Sequence, residues 1–157
     1  MEFEIKNGKD NIKEYDDKGK LEFEGEYLNG ERNGIGKEYD EYGILVFEGE
    51  YLKGKRNGKG KEYYENDKLK YEGEYLNGKK WNGKGYNYIF GFASTSIIIK
   101  DGKGKGKEYQ NGYLEFDGEY QNGERWNGKE YYSDGTLKEE YKDGKKIYYR
   151  KEICIII

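Results

Sequence analysis

The sequence predicts an all-β fold, in which stacked β-hairpin repeats of about 23–24 residues form an elongated, twisted single antiparallel sheet, a solenoid of hairpins. Three observations predict it. A five-residue motif recurs at constant spacing, its apolar and charged residues alternate with a period of two, and Asn-Gly turns follow most copies. We therefore interpret residues 1–157 as a single repeat domain of about seven units.

The recurring motif is an aromatic residue, an acidic residue, glycine, glutamate and tyrosine. Copies begin at Phe23, Phe47 and Tyr71, which are 24 residues apart, and a further copy begins at Phe116. Within each copy the two aromatic residues and the glycine fall on one face of a strand, and the acidic residues fall on the other. Residues 86–109 are interpreted as a degenerate unit, and the outermost units are atypical, as capping repeats tend to be.

Glycines recur at fixed positions in both strands of the repeat. A glycine inside a strand often marks the close approach of another group. We expect these glycines to leave slots for aromatic rings of the neighbouring hairpin, so that Gly36→Val or Gly60→Val destabilises the array. The glycines that the repeat marks as structural are Gly25, Gly34, Gly36, Gly49, Gly58, Gly60, Gly73, Gly83, Gly85 and Gly118.

Composition argues against catalysis and against nucleic acid as a partner. The chain has no histidine and one cysteine, so the usual general base at neutral pH and the commonest metal ligand are both missing. Lysine and arginine are mixed evenly with acidic residues, the net charge is −3, and no basic stripe is formed. We expect a non-enzymatic protein without a cofactor or metal. No secretory signal opens the chain, which predicts a cytoplasmic location.

Two patterns suggest chemistry but have simpler explanations. Residues 49–55 match most of a phosphate-binding loop, yet Arg56 stands where a serine or threonine would bind magnesium. Paired glutamates such as Glu24 and Glu26 suggest the two carboxylates of a glycosidase. Because every repeat carries such a pair on its outward face, we interpret them as solubilising charges paired with lysines on neighbouring strands.

The string Tyr/Phe-x-Gly-x-Tyr-x-x-Gly followed by Asn-Gly-x-Gly resembles the MORN repeat. The resemblance covers nearly the whole chain and is clearest over residues 21–88 and 113–132. Extended arms such as Lys-Glu-Tyr-Tyr-Glu-Asn also look like the variant grouped with antitoxin-like repeat proteins. The resemblance implies a twisted sheet of antiparallel hairpins that serves as a scaffold at membranes and cytoskeletal structures, or as an array attached to enzymes such as phosphoinositide kinases.

The predicted function is therefore a non-catalytic scaffold or adaptor that binds an unidentified protein partner or a membrane surface. The apolar stretch 86–99 is either a locally altered strand pair or a partner-docking patch. An extra tryptophan bulges each of two turns and is a candidate anchor for a partner. The candidate interaction surface comprises Tyr27, Tyr51, Tyr75, Trp81, Tyr120 and Trp126.

Three further interpretations stay open. One is a phosphoinositide-binding module, although anionic headgroups favour clustered lysine and arginine, whereas the signs alternate here. Another is an antitoxin-like protein, if the host is bacterial. Unpaired strand edges at the two ends of the array would also permit end-to-end self-association.

The segment from Cys154 to Ile157 has the form that protein prenyltransferases recognise, a cysteine followed by two aliphatic residues and a final residue. Basic residues precede it, so a prenyl group on Cys154 would make residues 151–157 a lipidation tail at the cytoplasmic face of a membrane. The alternative is a last β-strand that caps the array, with Cys154 as a small apolar side chain.

Overall fold

The computed structural model describes residues 9–148, and in that range the chain forms one 13-stranded antiparallel sheet. Each strand pairs with the strands before and after it, so the predicted all-β array of successive hairpins is confirmed. Cys154 and the tail 151–157 lie outside the described residues. The strands are β1 (Lys9–Tyr15), β2 (Leu21–Leu28), β3 (Glu31–Tyr39), β4 (Leu45–Leu52), β5 (Lys55–Tyr63), β6 (Leu69–Leu76), β7 (Lys79–Ile89), β8 (Phe92–Lys100), β9 (Lys103–Gln110), β10 (Tyr113–Gln121), β11 (Glu124–Tyr131), β12 (Leu137–Lys142) and β13 (Lys145–Tyr148).

The chain reverses at two opposite edges of the sheet. The even-turn edge holds the turns after β2, β4, β6, β8, β10 and β12, and the odd-turn edge holds those after β1, β3, β5, β7, β9 and β11. On the even-turn edge, Asn29 and Gly30 have φ values of 53° and 84°, and two positive values in a row are what a tight hairpin turn needs. On the odd-turn edge, Asp16 accepts hydrogen bonds from the backbone N–H groups of Lys18 and Lys20, each at 2.8 Å.

Hydrogen bonds between turns hold successive hairpins together along the even-turn edge. The backbone N–H of Gly54 donates to the carbonyl of Arg32 at 3.0 Å, and that of Gly78 donates to the carbonyl of Arg56 at 2.8 Å. Further along the array, the N–H of Gly123 donates to the carbonyl of Gly102 at 2.8 Å. Each hairpin therefore supports the next one, which a single hairpin in water needs because it is only marginally stable alone.

The paired glycines form the floor on which the aromatic rings pack. Gly25 lies opposite Gly36, and a Cβ added at Gly36 would stand 2.6 Å from Cε2 of Phe23 and 3.1 Å from Cε2 of Tyr51. The predicted slots therefore exist, but the nearest ring belongs to the same hairpin, while the neighbouring hairpin supplies the second ring. Both rings reach the glycine because Phe23 and Tyr51 meet edge to face, with their centroids 5.2 Å apart.

Residues 86–109 continue the sheet as the end of β7, followed by the β8–β9 hairpin. Ile97 and Ile99 are buried and belong to the same core cluster as the aromatic rings of the other hairpins. A Cβ on Gly85 would lie 2.5 Å from Cγ2 of Ile97, so this aliphatic side chain fills the space above the glycine. The segment is thus a locally altered strand pair within the array, as one of the two interpretations predicted. Residues 9–148 contain no helix that is long and apolar enough to span a membrane.

Candidate interaction sites

The tyrosines proposed as an interaction surface form part of the core. Tyr51 and Tyr75 are each 4% exposed and Tyr120 is 6% exposed, while Tyr27 is half-buried and packs against the same cluster. Their alternation marks one face of the sheet correctly, but the rings cover the glycine backbone and one another. Tyr51, Tyr75 and Tyr120 therefore expose little surface to a partner, and the prediction that these four tyrosines contact one gains no support from their burial and stays a prediction.

The two tryptophans also have a structural explanation. Each is the extra residue that shifts the strand register, as the bulged-turn interpretation predicted. Both are half-buried. A Cβ added at Gly102 would stand 2.6 Å from Cζ3 of Trp81, and one at Gly144 would stand 2.7 Å from Cζ3 of Trp126. Trp81 and Trp126 therefore pack on the glycine of the next even turn instead of projecting as free anchors.

A row of alternating charges, which was not predicted from the sequence, runs across the sheet face that carries Phe23, Tyr51 and Tyr75, the aromatic face. We call this row the charge ladder. Lys80 illustrates it, because its Nζ lies 3.0 Å from Glu62 and 3.4 Å from Glu108, which come from strands on either side of β7. Successive ion pairs of 2.5 to 3.8 Å join Glu14, Arg32, Glu38, Arg56, Glu62, Lys80, Glu108, Arg125, Glu130 and Lys138.

The charge ladder lies directly on the aromatic core. The guanidinium carbon of Arg32 is 3.9 Å from the ring centroid of Phe23, and that of Arg56 is 3.9 Å from the centroid of Phe47. Hydroxyl groups from the same face complete the contacts, since Tyr75 donates to Glu62 at 3.0 Å. The rings of Phe23 and Phe47 are therefore covered by cations, and carboxylates lie between these cations.

The ladder cations lower the pKa of its carboxyl groups. Burial alone would raise the pKa of Glu108, but the charges of Lys80 and Arg125 outweigh it and hold the pKa at about 2. The pKa of Glu62 is lowered against the same effect of burial by Lys80 and Arg56. Each carboxyl group with a shifted pKa in residues 9–148 is shifted downward, whereas a glycosidase acid needs a raised pKa.

These shifts predict that acid destabilises the protein. Glu108 has a lower pKa folded than unfolded, so its contribution to stability is complete above about pH 4.5 and is lost as the pH falls towards 2. We expect the thermal midpoint to fall over that window, and to fall less steeply in Lys80→Met, where Glu62 and Glu108 lose a shared cation. Thermal denaturation followed by circular dichroism from pH 7 to 2 measures both slopes. Equal slopes would contradict the assignment to the ladder.

The opposite face of the sheet carries the outward glutamates. Glu48 lies directly across from Lys37 on one neighbouring strand and from Lys61 on the other. In the same register, Lys13 Nζ is 3.5 Å from Glu24. An ion pair of the predicted kind therefore forms at Glu24, and Glu48 lies in register with lysines on both neighbouring strands. A shallow groove of about 510 Å³ runs over this face, and its lining alternates in sign: Lys37, Glu48, Glu50, Lys59, Lys61, Glu72 and Glu74.

The tip of the β7–β8 hairpin is the most exposed apolar feature of the described residues. Phe90 is 97% exposed and Phe92 is 79% exposed. Phe90 has φ of 49°, a left-handed conformation that is rare for a bulky side chain. Below the tip, Tyr64 donates a hydrogen bond to the carbonyl of Tyr86 at 2.8 Å, so the neighbouring turn supports the hairpin. The apolar stretch therefore combines a buried part with an exposed tip.

Comparison with known proteins returned no match, neither to a protein-family model nor to a curated protein. The architecture defines the chain as an all-β protein of consecutive antiparallel hairpins in one open sheet. The resemblance to the MORN repeat rests on the motif in the sequence and remains a prediction.

Proposed function

We propose that this protein is a non-catalytic scaffold that binds a protein partner through the tip of the β7–β8 hairpin. The observation that carries the proposal is the exposure of Phe90 and Phe92, at 97% and 79%. Burying two such rings would remove roughly 300 Å² from water. At about 25 cal/mol per Å², this area contributes about 7 kcal/mol, before the entropic cost of association is subtracted.

The surroundings of the tip support a binding role. The other phenylalanines of residues 9–148, Phe23, Phe47 and Phe116, are fully buried. By contrast, Phe90 and Phe92, which are separated by one glycine, both lie in water and disfavour solubility, and the left-handed φ of Phe90 adds backbone strain. Packing does not explain why exposed rings and a strained backbone occur together at this tip, so we attribute them to a binding function.

Photo-crosslinking of the full chain in lysate of its own host tests the proposal. A benzophenone side chain replaces the exposed Ala93, next to the tip. We expect one or a few discrete protein adducts, reduced at least about tenfold by Phe90→Ser with Phe92→Ser, because the apolar area would be lost. The matched control is Leu52→Ser with Leu76→Ser, which removes exposed leucines (48% and 39%) from the even-turn edge. Adducts that survive the phenylalanine changes, or no adduct at all, would contradict the proposal.

A further inference from the structure

The exposed aromatic side chains are not scattered, but follow one edge of the sheet. Every exposed aromatic residue in the described turns lies at or beside the odd-turn edge, whereas the turns of the even-turn edge contribute only Leu52 and Leu76 as exposed large apolar residues. The phenylalanine tip is thus the most prominent part of a longer row. We call this the aromatic row: Tyr15 (57% exposed), Tyr42 (73%), Phe90 (97%), Phe92 (79%), Tyr113 (57%) and Tyr132 (51%).

The two edges also differ in charge. The turn segments of the odd-turn edge are 15–20, 39–44, 63–68, 89–92, 110–113 and 131–136, and they hold seven acidic residues against three lysines. Those of the even-turn edge are 28–31, 52–55, 76–79, 100–103, 121–124 and 142–145, and they hold four acidic residues against seven lysines. Six of the seven acidic residues lie in the segments 15–20, 39–44 and 63–68, so this part of the odd-turn edge carries a negative charge, which attracts cations and disfavours anions.

The chain's own lysines show how cations use this edge. Lys20 Nζ lies 6.0 Å from the ring centroid of Tyr42, and Lys138 Nζ lies 6.0 Å from that of Tyr132. Beside the phenylalanine tip, Lys68 Nζ is 4.8 Å from the centroid of Tyr88. An ammonium group over a ring with carboxylates nearby is a favourable arrangement, and the turn segments 15–20, 39–44, 63–68 and 131–136 each combine at least one tyrosine with at least one acidic residue.

We propose that the odd-turn edge binds an extended segment of another protein that carries lysine or arginine at about every third residue. Neighbouring turns on one edge are two strands apart, which is about 10 Å. An extended chain advances about 3.3 Å per residue, so every third side chain meets the next turn. The inference rests on the proposed function, because it places the partner on the edge to which Phe90 and Phe92 belong.

An extended segment fits this edge better than a rigid second copy of the chain. Adjacent strands of a sheet rotate by about 20–25°, so an edge that passes over thirteen strands winds through space. The lysine-rich even-turn edge of a second copy has the opposite charge, but as a rigid body it would touch only a few turns. A flexible cationic segment follows the winding edge and contacts each turn in succession.

Fluorescence anisotropy with a labelled peptide, Lys-Gly-Ser repeated six times, tests the inference on the full chain. We expect saturable binding that Glu41→Lys with Glu65→Lys weakens roughly tenfold, since each reversal replaces an attraction by a repulsion of about the strength of a surface ion pair. The matched control, Glu31→Lys with Glu124→Lys, changes the net charge equally on the even-turn edge and should alter Kd less than about twofold. All four residues are exposed.

Further arms separate this arrangement from simple charge attraction. A peptide of the same composition with its six lysines in one block should bind more weakly, and Tyr42→Ser should weaken binding of the spaced peptide about threefold through loss of the ring. Equal effects of the two charge reversals, equal binding of the two peptides, or self-association of the protein abolished by Glu41→Lys with Glu65→Lys would overturn the inference. A crosslinked partner that depends on Phe90 and Phe92 but tolerates the charge reversal would leave the proposed function standing alone.

Discussion

Replacing Lys80 with methionine is expected to lower the free energy of unfolding by about 2 to 3 kcal/mol. The side chain is 18% exposed, and its ammonium lies between Glu62 and Glu108, whose side chains are 15% and 13% exposed. Methionine keeps a long apolar stem over the ring of Tyr71, so the change removes mainly the charge. Glu62 and Glu108 would then each keep only their other cationic partners. Because part of their negative charge would be buried without compensation, the loss of stability is large.

Two control variants separate the ladder from ordinary surface charge. Lys80→Arg should stay close to the wild type, because Arg32 and Arg56 occupy the same position in the two preceding repeats. Lys105→Met removes an exposed partner of Glu119, with the lysine 76% exposed, and should cost less than about 1 kcal/mol. Equilibrium denaturation in urea compares the four proteins. A Lys80→Met variant no less stable than Lys105→Met would show that the ladder contributes little to stability.

Local patterns predicted the sheet because hairpin formation is itself local. The alternation in Phe23 to Tyr27 assigns the strand faces, and the positive φ of Asn29 and Gly30 follows from the turn chemistry. The register around the bulges was harder to predict. Trp81 packs on Gly102, a contact across two turns, which the spacing of a single motif does not reveal.

The sequence identified the aromatic face but not its role. The alternation of apolar and charged residues predicts that Tyr51 and Tyr75 lie on the same face as the glycines. It does not distinguish a core from a binding surface. In a single-layer sheet that face has to supply its own core, so its rings pack on bare backbone and its arginines cover the rings. The signal for the ladder was present, since Arg32 and Arg56 recur with the same 24-residue spacing as the aromatic motif.

The sequence predicted an apolar stretch but did not predict which of its residues form the exposed tip. Residues 86–99 stood out as apolar, but periodicity cannot say which side chains of a short apolar run are buried. The structure divides them, because Ile97 and Ile99 enter the core while Phe90 and Phe92 project from a turn. Exposure along the odd-turn edge depends on where all the turns lie relative to one another, and that is a property of the assembled sheet.

Gly60→Val is expected to lower the free energy of unfolding by about 3 kcal/mol, although valine favours strands more than glycine does. A Cβ at this position would stand 2.6 Å from Cζ of Phe47 and 3.1 Å from Cε2 of Tyr75, and both rings are buried and held by neighbours. The added methyl groups must displace a ring that covers the glycine pair, so steric exclusion outweighs the gain in propensity. Thermal and urea midpoints measure the loss.

The same measurement shows whether the ring is the cause. Lys59→Val adds the same side chain at the exposed position next to Gly60 and should change stability by less than about 0.5 kcal/mol. In a Phe47→Leu background the clash partner is smaller, so Gly60→Val should cost less than it does in the wild type, giving a coupling energy of about 1 kcal/mol. If the changes in unfolding free energy of the two substitutions were strictly additive, a clash between residue 60 and the ring of Phe47 would not be the cause of the destabilisation. Since stacked hairpins share such rings, a coupled loss would also show that each aromatic–glycine contact stabilises two neighbouring units at once.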